Sequence, residues 1–214
     1  MELEDEVRPP KQDRSRRAWN RVLDAGLAIF EDRGYDGFTI TAVCEQADVA
    51  PTVIYARTAS KETLFLAVYE HGAARVRAEQ DVFADPGHWA GMAPAALVRA
   101  AVAAVVDVAI RHEKFLRAVV LVSATHPEIH RRGSRYVHEL GRRFTGVVLT
   151  AATAIRHEDP AAAVWSCFST VFAAATNRIA YGPDFTTPAP APHQVFVADL
   201  GETAARFLLA DPVS

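Results

Sequence analysis

The side chains able to do chemistry on a polymeric partner crowd into one stretch, residues 38–69, FTITAVCEQADVAPTVIYARTASKETLFLAVY. Thr52 and Tyr55 offer hydroxyls, Arg57 offers a guanidinium, and Pro51 and Val53 offer apolar edges. Hydroxyls and guanidinium groups bond base edges and phosphate oxygens, and an apolar edge fits a thymine methyl. The spacing puts these groups on short helices. Thr39 can cap a helix whose apolar residues Ile40, Val43 and Ala47 share a face, and Asp48-Val49 interrupts it. Pro51 has no N–H to lose at a first helical position, so a second helix runs from there to about residue 57, with Val53 and Ile54 facing inward. Ser60 caps a third, longer helix, with Glu62 near its positive end. Three helix starts within about twenty residues are the layout of a helix-turn-helix, and the helix opening at Pro51 is the candidate reader of DNA.

Charge supports that reading. Residues 8–21 carry Arg8, Lys11, Arg14, Arg16, Arg17 and Arg21 against the single acid Asp13, although the chain as a whole has a net charge of −3. A cationic block just ahead of and into the first helix suits an arm lying along a phosphate backbone; a solvated charged tail is the plainer alternative.

Over residues 15–70 the sequence resembles the TetR family of transcriptional repressors. The resemblance rests on Ala25, Phe30, Gly34 and Tyr35, then Thr39, Ile40, Ala42, Ala47, Val49 and Tyr55, and finally Ser60-Lys61-Glu62. It departs where Asp48 replaces a turn glycine and Thr58 replaces an aromatic. The resemblance implies that Pro51, Thr52, Val53 and Tyr55 face or approach DNA, with Arg57 at the far end. It also implies that Thr39, Thr41 and Lys61 contact phosphates from helix N-termini.

Composition sets the class. A chain of 214 residues that is 50% hydrophobic can bury a sizeable core. Cys44 and Cys167 are too few for a disulfide framework, and no apolar leader follows the acidic start, so a cytoplasmic protein is expected. The longest uncharged run, residues 160–177, is broken by polar residues and falls short of a membrane span. His126 and His130 have i, i+4 spacing without the glutamate of a zinc motif, and read as capping or surface residues. No nucleophile elbow, phosphate loop or dinucleotide fingerprint is present, so neither an enzyme nor a cofactor or metal is expected. Cys44 reads as packing.

The expected fold is all-α with about nine helices. A flexible arm covers residues 1–13. A three-helix DNA-binding head with a linking fourth helix covers 14–80, and a larger ligand-binding and dimerisation domain covers 81–214. The first helix is expected over residues 14–32, ended by Gly34, and a Pro/Gly-rich boundary over 83–94. Helices then follow over 95–111, 115–123, 127 to about 156, 159 or 160 to 181, and 193–210, with a Pro-rich loop at 182–192.

The last two helices carry more apolar surface than one subunit needs. Val164 and Phe172 on one, and Phe196, Leu200 and Phe207 on the other, are the expected seam of a two-fold homodimer, as the resemblance also implies. Trp89, Phe115, Phe144, Trp165, Phe168 and Phe172 are candidate lining for a small, largely apolar effector, with His112, Asn177 or Arg178 as polar anchors. The expectation is a repressor released from operator DNA by that effector. A regulator without an effector, a helical interaction module and a scattered-site enzyme remain the alternatives.

Overall fold

The computed structural model describes residues 13–210, so the expected arm, with Arg8 and Lys11, lies outside the described residues except for Asp13. The described residues form ten α-helices and two 3-10 turns, with no strand among them. They divide into two compact units, one up to Arg77 and one from Ala78.

The first unit holds α1 (Asp13–Gly37), α2 (Ile40–Ala47), α3 (Pro51–Tyr55) and all but the end of α4 (Lys61–Glu79). Gly34 turns left-handed (φ 65°), which breaks α1 where the sequence indicates, and a last turn carries the chain to Gly37. The core centres on Phe65 of α4. Phe30, Tyr35 and Phe38 each present an edge to its ring, with centroids 5.0, 4.6 and 5.5 Å away. α1 approaches α4 closely at Gly26, where a Cβ would lie 2.6 Å from Val68 Cγ2.

The second unit holds α5 (Pro86–Trp89), α6 (Pro94–Arg111), α7 (Glu113–Ser123), α8 (Pro127–Val148), α9 (Pro160–Tyr181) and α10 (His193–Leu209). α6 packs against both α9 and α10, and its Leu97, Val98, Ala101, Val102, Val105 and Val106 are buried. The segment read as a Pro/Gly boundary is folded instead. A 3-10 turn (Asp81–Ala84) leads into α5, Asp85 accepts from the Gly87 N–H at 2.9 Å, and the Trp89 indole donates to the Val82 carbonyl at 2.9 Å. An Asx cap and one buried aromatic overcome the breakers there. α8 also stops earlier than expected, passing into a 3-10 stretch at Leu149–Ala154.

His126 caps α8, its Nδ1 accepting from the Ile129 N–H at 3.4 Å. Both cysteines are buried; burial raises the Cys167 thiol to about 11 and moves Cys44 in the same direction. Among the described residues no helix is long and apolar enough to cross a membrane.

Candidate nucleic-acid interface

Local chemistry shapes the α2–α3 corner. Thr39 Oγ1 accepts from the Ala42 N–H at 3.1 Å and so caps α2. The helix ends at Asp48 (φ 51°, ψ 58°), the one non-glycine residue with positive φ among those described. Aspartate tolerates this left-handed geometry better than most residues, so a glycine is not needed. The Asp48 N–H donates to Glu45 O and the Val49 N–H to Cys44 O, closing the end of α2. Arg21 adds its Nε, donating to Ala47 O at 3.2 Å.

α3 is only five residues long, shorter than expected, because Ala56 closes it and Arg57 already donates its N–H in turn geometry to Ile54 O. Ile54 is fully buried and anchors it. On the outer side Pro51 and Thr52 are exposed, Val53 is half-buried, and Tyr55 is 58% exposed. An open groove of 520 Å³ runs along this corner, lined by Ile40, Thr41, Glu45, Asp48, Pro51 and Tyr55 among others. Thr39 and Thr41 are exposed at the start of α2, and Arg16 and Arg17 in the first turns of α1, where Arg16 pairs with Asp13.

Lys61 is half-buried. Its Nζ donates to Tyr35 O at 3.1 Å and sits 4.2 Å from the Tyr35 ring centroid, which leaves two of its three donors for another partner. Ser60 Oγ accepts from the Thr63 N–H at 3.1 Å, capping α4. Tyr35 Oη donates to Glu62 at 2.9 Å, and burial together with that carboxylate pushes its hydroxyl up to about 12.

Arg57 requires a correction. Expected at the DNA-facing end of α3, it is 8% exposed and turned under the helix, with its guanidinium bonded to Val53 O and to Ser15. Nothing in the spacing of PTVIYAR marks that inward turn, because the Ser15 acceptors come from a segment forty-two residues away. Sequence reading also passed over Glu45 and Asp48 as walls of the groove and Arg21 as a capping donor. Glu45 was legible, standing four residues from Thr41 and so on the same helical face.

In the second unit the expected ligand-lining residues are placed unevenly. Trp89 stacks on Phe83 at 5.4 Å, Phe83 meets Phe144 at 6.4 Å, and Phe144 meets Phe168 at 5.5 Å, all four buried. Phe115 is buried on α7; Phe172 and Asn177 are half-buried, and Trp165 is 38% exposed. His112 Nε2 lies 2.7 Å from Glu79, whose carboxyl is held low first by Arg111 and then by His112. Arg178, half-buried, donates to Ala191 O at 3.1 Å and lies 4.6 Å over Phe196.

Of the expected seam residues, Phe207 is exposed and Phe172, Phe196 and Leu200 are half-buried. Val164 is the second correction: it is fully buried inside its own unit, because α9 turns that edge toward the core shared with α6. The outward face of α9 instead carries Ala162, Trp165, Ser166, Ser169 and Ala173.

Comparison with known proteins covers both units. The family model for bacterial regulatory proteins of the tetR family matches residues 22–68. The A-factor receptor protein of Streptomyces griseus is 31% identical over 71 residues, which is 33% of this chain but only 26% of that protein. Two solved structures align with nearly the whole chain. A bacterial regulatory protein in the tetR family from Rhodococcus has a TM-score of 0.68 at 19% identity, covering 91% of this chain and 98% of its own. Salmonella enterica GusR has a TM-score of 0.66 at 16% identity, covering 90% and 95%. At such identities the likeness is one of fold.

Proposed function

We infer, because this chain belongs to the tetR family of bacterial regulatory proteins, that it is a DNA-binding transcription regulator whose α3 enters the major groove. The observation that carries this reading is the α2–α3 corner: Ile54 anchors α3 from below while Pro51, Thr52 and Tyr55 stand free above it. Thr52 and Tyr55 are assigned to base edges and Val53 to a thymine methyl, while Thr39, Thr41, Arg16, Arg17 and the two remaining donors of Lys61 go to phosphates. In this reading residues 14–80 form the reading head and residues 81–214 the domain for effector binding and dimerisation, at work in the cytoplasm.

The finer reading is a homodimeric repressor released from its operator by a small, largely apolar effector. Dimerisation is supported by the uncharged outward face of α9 and by Phe207 exposed on α10. A two-fold dimer places its two reading helices about one helical turn, 34–36 Å, apart on DNA, and an effector that favours another spacing lowers affinity. One relative is, by its name, a receptor, which supports an effector for this chain too. The packed cluster of Trp89, Phe144 and Phe168 favours a second reading, a regulator that needs no effector.

Selection of binding sites from random duplexes, followed by titration against salt, tests the DNA reading. Arg17→Ala is expected to lower the slope of log affinity against log salt by about one on every sequence. Thr52→Val is expected to shift preference among operator variants by about 1–3 kcal/mol. A parent protein that enriches no sequence sinks the reading. Release of the selected operator by apolar small molecules, or its absence across a broad panel, separates the two finer readings.

A further inference from the structure

Arg57 is built as a joint rather than as a DNA ligand. Its Nη1 donates to Val53 O at 3.3 Å, within α3, and its Nη2 donates to Ser15 O at 3.3 Å and to Ser15 Oγ, in the first turn of α1. The guanidinium carbon Cζ lies 5.3 Å from the ring centroid of Trp19, one turn further along α1. Its Nε is buried without a partner, and none of its described partners is an acid. Burying a cation among neutral acceptors is costly, so stability alone favours an apolar side chain at this position. The planar fork does what an apolar group does not: it ties two separate backbone segments with directed bonds.

The two segments it ties are the two that address DNA in the function proposed above, on which this inference rests. Five residues of helix hold little orientation by themselves, so α3 takes its direction from what it is fastened to. Ser15 immediately precedes Arg16 and Arg17, which are exposed. We propose that Arg57 is a positioning residue that fastens α3 to the first turn of α1, so that phosphate contacts at Arg16 and Arg17 set the register in which α3 meets the bases.

The test uses the full chain with Arg57→Met, Arg57→Lys and Ser15→Ala, binding the selected operator and a random duplex across a salt series, with melting curves to show that each variant is folded at the assay temperature. Arg57→Met is expected to cut the ratio of operator to random affinity about tenfold, the size of one good base contact, while leaving the salt slope unchanged. Arg57→Lys keeps the charge but not the fork, and is expected not to restore the ratio. Ser15→Ala is expected to lower the ratio less, and to add nothing in the Arg57→Met background; it carries the test if Arg57→Met fails to fold. A salt slope reduced by about one with the ratio intact makes Arg57 a phosphate ligand and overturns the proposal. A lowered melting temperature with both ratio and slope intact makes it a purely structural residue and overturns it equally. If the parent itself prefers no sequence, it is the DNA-reading function that fails first, a result distinct from these.

Discussion

At the scale of single residues, side-chain chemistry behaves as its type suggests only where the neighbours allow it. Asp48 takes the left-handed turn position that glycine occupies most easily, at the cost of its own backbone strain. Asp48→Gly is therefore expected to change stability by less than about 1 kcal/mol, because the relieved strain is offset by the freer unfolded chain, whereas Asp48→Val is expected to cost about 1–2 kcal/mol by denaturant melting. A larger loss for the glycine variant than for the valine variant contradicts this account. Tyr35 supplies a pH test. Its hydroxyl is raised from 10.0 to about 12, by burial first and by Glu62 second, so the fold favours the neutral phenol. The stability this contributes is complete below pH 10 and lost as pH rises through about 12. Tyr35→Phe keeps the ring against Phe65 but has no proton to lose. The stability gap between parent and variant is expected to narrow across that alkaline window, and a constant gap rules the assignment out.

At the scale of elements, close approach decides more than helix propensity. Gly26 lets α1 lie against α4, and an added Cβ would meet Val68 Cγ2 at 2.6 Å and Phe38 Cε2 at 3.2 Å. Gly26→Ala is expected to destabilise by about 1–3 kcal/mol through overpacking, although alanine is the better helix former by about 1 kcal/mol. A stabilised variant shows that the α1–α4 contact yields. Gly141 serves α8 in the same way, with Phe168 and Trp165 carbons 2.8–2.9 Å from its notional Cβ. In the second unit Phe144 joins the rings of Phe83 and Phe168 and has no exposed surface. Phe144→Ala is expected to cost about 3–5 kcal/mol. If the proposed effector occupies the space vacated there, adding it restores part of the loss in a thermal-shift measurement.

At the scale of the whole molecule, the proposed dimer and the proposed DNA reading make linked demands. Light scattering at micromolar concentration is expected to return twice the 23.3 kDa of one chain. Phe207 is 46% exposed, so Phe207→Glu is expected to split the dimer without unfolding the subunit, and to weaken operator binding because half of the site is lost. Val164→Glu is expected to unfold the subunit instead, since the side chain has no exposed surface. A parent mass near that of one chain removes the dimer from the account and leaves the α2–α3 corner untouched.

Most of the helices were legible in the sequence because their signals are local. Thr39, Pro51, Ser60, Pro127 and Pro160 mark starts, and Gly34 and Gly182 mark stops, each through a cap or a backbone conformation that needs no distant partner. The same holds for the face of α3, since Ile54 in and Thr52 and Tyr55 out follow from helical spacing and polarity. Tertiary structure alone decided the rest. Arg57 turns inward because Ser15 and Trp19 lie beneath it, and Val164 is lost to a dimer seam because that edge of α9 is buried in the core of its own unit. Local periodicity says that a helix has an apolar face; which neighbour covers it, and which cation is drawn under it, depends on residues far away in the chain.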